Sequence, residues 1–327
     1  LVPSSEADSR FYAYALSVST EQLTVRGKGT TFLELSSFEL GTFPLPSPSL
    51  ATQRAIAAFL DRETAKIDAL IAEQQRLIEL LQEKRQAFIS HAVTKGLNPR
   101  AAMKDSGIEW LGEVPEHWTI PPMFARYEAV LGKMVDEKKA TGTCPVPYLR
   151  NADVYWDQIN TAELPLLDIQ PHERLRFTVR KGDILICEGG AGIGQTAIWH
   201  GDDDVTAFQK ALHRLRPWDN SRENPRYLFY CMRVVVESGV MLAGGTATIP
   251  HLTGEVLRRY RFPCPPIREQ QEIVHYLDAT GQEMQSLSEQ ASHAITLLQE
   301  RRSALISAAV TGQIDVRGFS SGGSEAA

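Results

Sequence analysis

A repeat with an offset of 217 positions constrains this 327-residue chain more than any other feature. It starts at Gln53 and Gln270 and runs without a gap to Thr94 and Thr311. Between 52–94 and 269–311, 17 of 43 positions are identical. Phe59-Leu60-Asp61 answers Tyr276-Leu277-Asp278, and Leu80-Leu81-Gln82-Glu83 answers Leu297-Leu298-Gln299-Glu300. Identity that dense over a gapless window marks one structural unit used twice.

Both copies have helical periodicity. With Ile56 at heptad position d, the a/d seam of the first copy takes Ile56, Leu60, Ile67, Leu70, Leu77, Leu81 and Phe88. The second takes Ile273, Leu277, Met284, Leu287, Leu298 and Leu305. A helix of about 41 residues is roughly 60 Å long, more than one small domain can cover. The economical expectation is two long helices packed on each other. Upstream, Arg10-Phe11-Tyr12-Ala13-Tyr14 resembles Arg226-Tyr227-Leu228-Phe229-Tyr230. Asn224-Pro225 makes a helix cap and first turn, and Ser36 with Glu39 has capping-box spacing.

The expected order is therefore unit, helix, unit, helix, with the first unit cut short by about 110 residues. Residues 1–46 read as the closing part of a first unit, and 47–98 as the first helix. Residues 106–262 read as a complete unit, 266–312 as the second helix and 319–327 as a disordered tail. The 1–46 remnant, carrying Phe11, Tyr14, Leu16 and Phe38, is expected to pack poorly or to recruit a second chain. The complete unit offers short strands at 146–149, 183–187, 196–199, 211–215 and 260–262, with one clear helix at 225–240. The fold class is mixed α and β: a mixed, curled sheet beside two long coiled-coil-like helices.

Enzyme signals fail in turn. Gly189-Gly190-Ala191-Gly192-Ile193-Gly194-Gln195-Thr196 has the glycine spacing of a phosphate loop, but Gln195 stands where the lysine belongs. The sequence predicts a strand where the helix is required, so a glycine turn between strands is the plainer reading. The eight histidines are scattered, and the four cysteines lie far apart without a CxxC pair, which fits a reducing cytoplasm and no metal. No apolar run reaches the ~18 residues of a membrane span. What remains is a set of polar residues at strand ends and loops: Lys133, Arg150, Asn151, Gly192, Gln195, Thr196, Lys210 and Thr246. Arg, Lys, Asn and Gln read base edges, while Thr and backbone amides hold phosphates. The net charge of −6 argues against DNA only if spread evenly, and Arg174, Arg176, Arg180 and Lys181 are clustered.

The stretch Ser106-Gly107-Ile108-Glu109-Trp110-Leu111-Gly112-Glu113-Val114-Pro115, with Lys181-Gly182-Asp183-Ile184-Leu185 and Phe262-Pro263-Cys264-Pro265-Pro266, resembles the specificity subunits of type I restriction-modification systems. The resemblance implies two target recognition domains held in inverted orientation by two antiparallel helices, each reading half of a bipartite site in double-stranded DNA. It implies no catalysis in this chain: modification (methyltransferase) subunits dock on the helical spacer, and restriction subunits join the full complex. S-adenosylmethionine, ATP and magnesium are then expected only on those partners. The competing readings are a nucleotide hydrolase using residues 189–196 and a coiled-coil structural adaptor.

Overall fold

Both repeat copies are single continuous helices in the computed structural model, Leu50–Lys95 and Ile267–Val310. The structure describes residues 7–27, 34–135, 142–239 and 251–316. The expected tail at 319–327, and Thr246, lie outside them. The chain divides into two compact units, residues 1–82 with 284–327, and residues 83–283. The long helices thus contribute to both units instead of forming domains of their own.

In the first unit, α1 (Ser9–Ser17), α2 (Thr20–Arg26) and α3 (Ser37–Gly41) precede α4 (Leu50–Lys95). Asp8 caps α1 by accepting from the Arg10 and Phe11 amides, and Ser36 caps α3 by accepting from the Glu39 amide. Phe11 and Ala15 of α1 are buried with Ile56 and Leu60, and with Ile306, Ala309 and Val310 from the end of the second long helix. The expected poor packing is therefore corrected for Phe11, which is fully buried; Phe38 stays 75% exposed.

The second unit holds eleven described strands: β1 (Met103–Asp105), β2 (Glu113–Pro115), β3 (Tyr127–Leu131), β4 (Pro145–Leu149), β5 (Val154–Tyr155), β6 (Gln158–Ile159), β7 (Leu166–Asp168), β8 (Ile184–Cys187), β9 (Thr196–Ile198), β10 (Ala207–Phe208) and β11 (Leu212–Pro217). The helices are α5 (Arg174–Phe177), α6 (Pro225–Glu237), α7 (Gly254–Arg259) and α8 (Ile267–Val310), the last shared with the first unit. The main sheet is antiparallel in the order β3-β11-β8-β9, and a second has the order β10-β4-β7 with β10 and β4 parallel. The expected strand at 260–262 is absent; Arg261 makes only an isolated bridge to Pro122. Asn224 caps α6, whose Leu228, Cys231, Met232 and Val235 bury against Trp118, Tyr127, Ile184, Leu215 and Phe262.

Each unit fastens a short helix to a long one in the same way. Gln53 donates to Pro48 O at 2.8 Å and accepts from the Asp8 amide at 2.8 Å. Gln270 donates to Pro265 O at 2.9 Å and accepts from the Asn224 amide at 2.9 Å. Two turns further on, Asp61 accepts from Arg10 at 2.6 Å and from Tyr14 at 2.8 Å, while Asp278 accepts from Arg226 at 3.1 Å and from Tyr230. Burial, with the Asp278 carboxylate adding to it, pushes the Tyr230 hydroxyl up to about 12. The repeat read from sequence is thus a repeated clamp.

Within each unit the long helices run antiparallel. Arg302 pairs with Asp68 at 2.8 Å in the first, and Phe88 meets Tyr276 edge-on in the second. Ile56, Leu60, Ile67, Ile273, Leu277 and Met284 are buried. Leu81, Phe88, Leu298 and Leu305 are half-buried. Leu70, Leu77 and Leu287 are exposed at 45%, 41% and 42%, which corrects their assignment to a seam packed between the two helices. Two helices alone cover only a narrow strip, and burial is complete only where a third element lies over the pair. Leu60→Ala should cost about 2–5 kcal/mol. Leu77→Ala should stay within about 1 kcal/mol. Urea denaturation followed by circular dichroism checks both, and equal midpoints would contradict the division.

Candidate nucleic-acid interface

The strand ends of the second unit converge. The Lys133 amide donates to Phe208 O at 3.0 Å, and the Lys210 amide to Lys133 O at 2.9 Å. The Gln209 amide reaches Leu149 O at 3.0 Å, and the Glu188 amide reaches Ala211 O at 2.9 Å. Gly132 permits the crossing, because a Cβ there would stand 2.2 Å from Gln209 O. The turns after β3, β4, β8 and β10 therefore share one end of the unit. The Leu252 amide donates to Glu188 O at 2.8 Å and brings residue 251 to the same end.

The residues singled out in the sequence have different fates there. Lys133 gives its ammonium to Glu173, and that contact holds the Glu173 carboxyl below its usual range. Arg150 is bidentate on Asp153 at 2.9 and 2.7 Å, and this pairing lowers the Asp153 carboxyl despite its partial burial. Asn151 donates Nδ2 to Gly189 O at 3.1 Å. Gly192 and Gln195 are half-buried in the turn between β8 and β9, while Lys210 is exposed with no ion pair among the described residues. Thr196 is fully buried and donates its hydroxyl to Gly194 O at 2.9 Å, so it is withdrawn from the surface. Thr196 leads β9, an edge strand whose three residues are all buried, which a strand-end assignment from sequence misses.

The glycine stretch is a hairpin turn. β8 and β9 pair antiparallel, and only a short 3-10 turn, Gly190–Gly192, lies between them. The phosphate loop needs a helix after the glycines, and β9 occupies that place. Among the described residues, no group of three or more His, Cys, Asp or Glu side chains could hold a metal. No helix among them is long and apolar enough to cross a membrane. Asp183 is structural: it takes a bidentate contact from Arg216 at 2.8 and 2.6 Å and accepts from the Arg180 amide at 2.7 Å. Arg214 is wholly buried, donating to Thr178 O at 2.9 Å and to Glu128 at 2.5 Å.

His251, which the sequence reading passed over, lies at this end with its ring against Gly189. Its position depends on His213, a buried residue of β11 whose Nε2–H donates to Leu252 O at 2.7 Å. Burial pushes the His213 imidazole below its ordinary value, against the pull of the Leu252 carbonyl and Glu188. The unfolded chain, with an ordinary imidazole near pH 6.5, then binds more protons than the folded one as pH falls. The stability gained from neutral His213 is complete above that pH and is lost as pH falls below it. The thermal midpoint should drop from about pH 7 to about pH 5. His213→Gln should flatten that limb of the pH profile; an equally steep fall in the variant would contradict the assignment.

The sequence profile described as the type I restriction modification DNA specificity domain matches residues 1–81 and 138–297. The type I restriction enzyme EcoBI specificity subunit of Escherichia coli is 24% identical over 96% of this chain and 67% of its own length. The StySPI specificity subunit of Salmonella potsdam is 22% identical over 88% of this chain and 61% of its own. The chain thus spans about two thirds or less of the length of these relatives. Among solved structures, a chain from a type I R-M system superposes with a TM-score of 0.73 at 19% identity, covering 94% of this chain and 72% of that one. The HsdS subunit from Thermoanaerobacter tengcongensis gives 0.58 at 18% identity, covering 94% and 71%. At such identity these two likenesses establish the fold.

Proposed function

Because the chain belongs to the type I restriction modification DNA specificity family, we propose that it is a DNA-reading subunit that performs no chemistry itself. The observation carrying this reading is the convergence of Asn151, Gln195, His251 and Lys210 around one glycine turn at the end of the second unit. Such an end suits a duplex: an exposed lysine for phosphate, amide and imidazole groups for base edges, and glycines that let backbone approach. Lys133 and Arg150, whose charges are taken by Glu173 and Asp153, hold the turns in place.

The long helices are the seat for modification subunits, with restriction subunits joining the larger complex. The half-exposed leucines midway along the pair support that reading. Leu70, Leu77, Leu80, Leu287 and Leu297 are 41–50% exposed, an apolar row that two helices cannot cover. S-adenosylmethionine, ATP and magnesium belong in this scheme to the partners. Neither rival reading has a comparable observation behind it: the 189–196 turn is a hairpin, and a bare adaptor leaves the polar end of the second unit without a role.

The purified chain should bind duplex DNA with affinity falling at least about tenfold between 50 and 200 mM salt, from the counterions released at two or more phosphates. It should neither transfer methyl groups nor hydrolyse ATP. Anisotropy titrations against salt check the first statement. Salt-independent binding, or saturable turnover by the chain alone, would contradict the reading.

A further inference from the structure

Three polar side chains around the glycine turn keep hydrogen-bonding capacity that no described residue uses. Asn151 spends Nδ2 on Gly189 O, and its Oδ1 is buried without a partner. The Gln195 amide lies against the turn, where a Cβ on Gly192 would come within 3.3 Å of Oε1. The exposed His251 ring lies against the other flank, where a Cβ on Gly189 would come within 2.7 Å of Nδ1. These glycines are thus explained by side chains resting on the turn. The same contacts hold the amide and the imidazole at a surface where the nearby strong cations, Lys133 and Arg150, are already paired.

We infer that Gln195 and His251 are base-reading residues, that Asn151 is the positioning residue fixing their turn, and that Gln195 selects adenine. The inference rests on the DNA reading proposed above and deepens it. A primary amide presents one acceptor and one donor side by side, matching the N6 amine and N7 of adenine in the major groove. An imidazole N–H offers a donor to N7 of an adjacent purine. Asn151 cannot serve as a bidentate reader in the same way, because its acceptor is enclosed and one of its two Nδ2 hydrogens is committed to Gly189. Lys210, a point charge without a described ion-pair partner, acts on phosphate and contributes affinity without sequence preference.

The test is selection from a randomised duplex pool by the full chain at fixed salt, followed by the same selection with single variants. Wild type should enrich adenine at one position of its site. Gln195→Ala should reduce that preference roughly ten- to a hundredfold and leave the other positions unchanged. Gln195→Glu should move it toward cytosine, whose N4 amine donates to a carboxylate. His251→Ala should relax one neighbouring position. Lys210→Ala should weaken all sequences alike and lower the salt slope by about one. Should Gln195→Ala fail to fold, Gln195→Glu carries the test, and an undiminished adenine preference in it overturns the inference. Unchanged selection by both Gln195→Ala and His251→Ala also overturns it, while leaving DNA reading by other residues intact. If wild type selects no sequence at all, the proposed function falls and this inference falls with it.

Discussion

The repeated clamp is the constraint on which the rest of the structure depends. A helix begins with backbone N–H groups that have no partner within it, and burying such an end uncompensated is costly. Gln53 and Gln270 each meet that need from outside, accepting the cap-residue amide while donating to the carbonyl of the proline five residues earlier. One side chain thereby fixes the start of a short helix against the start of a long one. Asp61 and Asp278 then fix its rotation, since an arginine and a tyrosine four residues apart lie on one helical face and converge on one carboxylate. Both residues of the pair donate and the carboxylate only accepts, so the arrangement tolerates no swap of partners.

Charge inside the second unit follows a pattern that bears on how it can recognise anything. Its strongest cations are used internally: Arg126 on Glu223 at 2.8 and 2.6 Å, Arg216 on Asp183, and Arg214 on Glu128 and three carbonyls. Breaking such a buried pair leaves a charge with no solvent and no partner, so these residues are held by the fold and are poor places for variation. The turns at the far end of the strands carry few such obligations. Rigid strands with lightly committed turns let a recognition surface change without disturbing the core. On the proposed DNA reading, a chain with net charge −6 would lean for specificity on hydrogen bonds to bases more than on bulk attraction.

Much of this was legible in the sequence, for identifiable reasons. The 217-residue offset exposed Gln53 with Gln270 and Asp61 with Asp278, because each copy must reproduce the same geometry to seat the same kind of helix. Asn224, Pro225 and Ser36 announced helix starts, since capping is local chemistry. The Arg150–Asp153 pair went unread although its partners are three residues apart, whereas Lys133–Glu173 joins residues 40 apart and needs the tertiary fold. β5, β6 and β10 escaped notice because two-residue strands carry no measurable alternation. Thr196 was misjudged as accessible for a related reason. Strands covered on both faces lose the in–out pattern that would reveal where a polar side chain points.

The clamp and the proposed recognition end meet in one side chain. Arg226 reaches Asp278 on α8 with Nε and Asp157 with Nη1. Asp157 sits in the turn between β5 and β6 with φ of 60°, a conformation few non-glycine residues adopt. Its amide, donating to Thr196 O at 3.1 Å, and its carboxylate on Arg226 hold it there. Residues 151–157 therefore run without interruption from the side chain that anchors the glycine turn to the one that meets the clamp, and Cys187 reinforces the run by contacting Asn151 O and Val154 O. In the first unit Arg10 reaches Asp61 and Asp8, but the described residues supply no counterpart to Asp157. The clamp alone seats a short helix; the added carboxylate is what ties the β5–β6 hairpin to it.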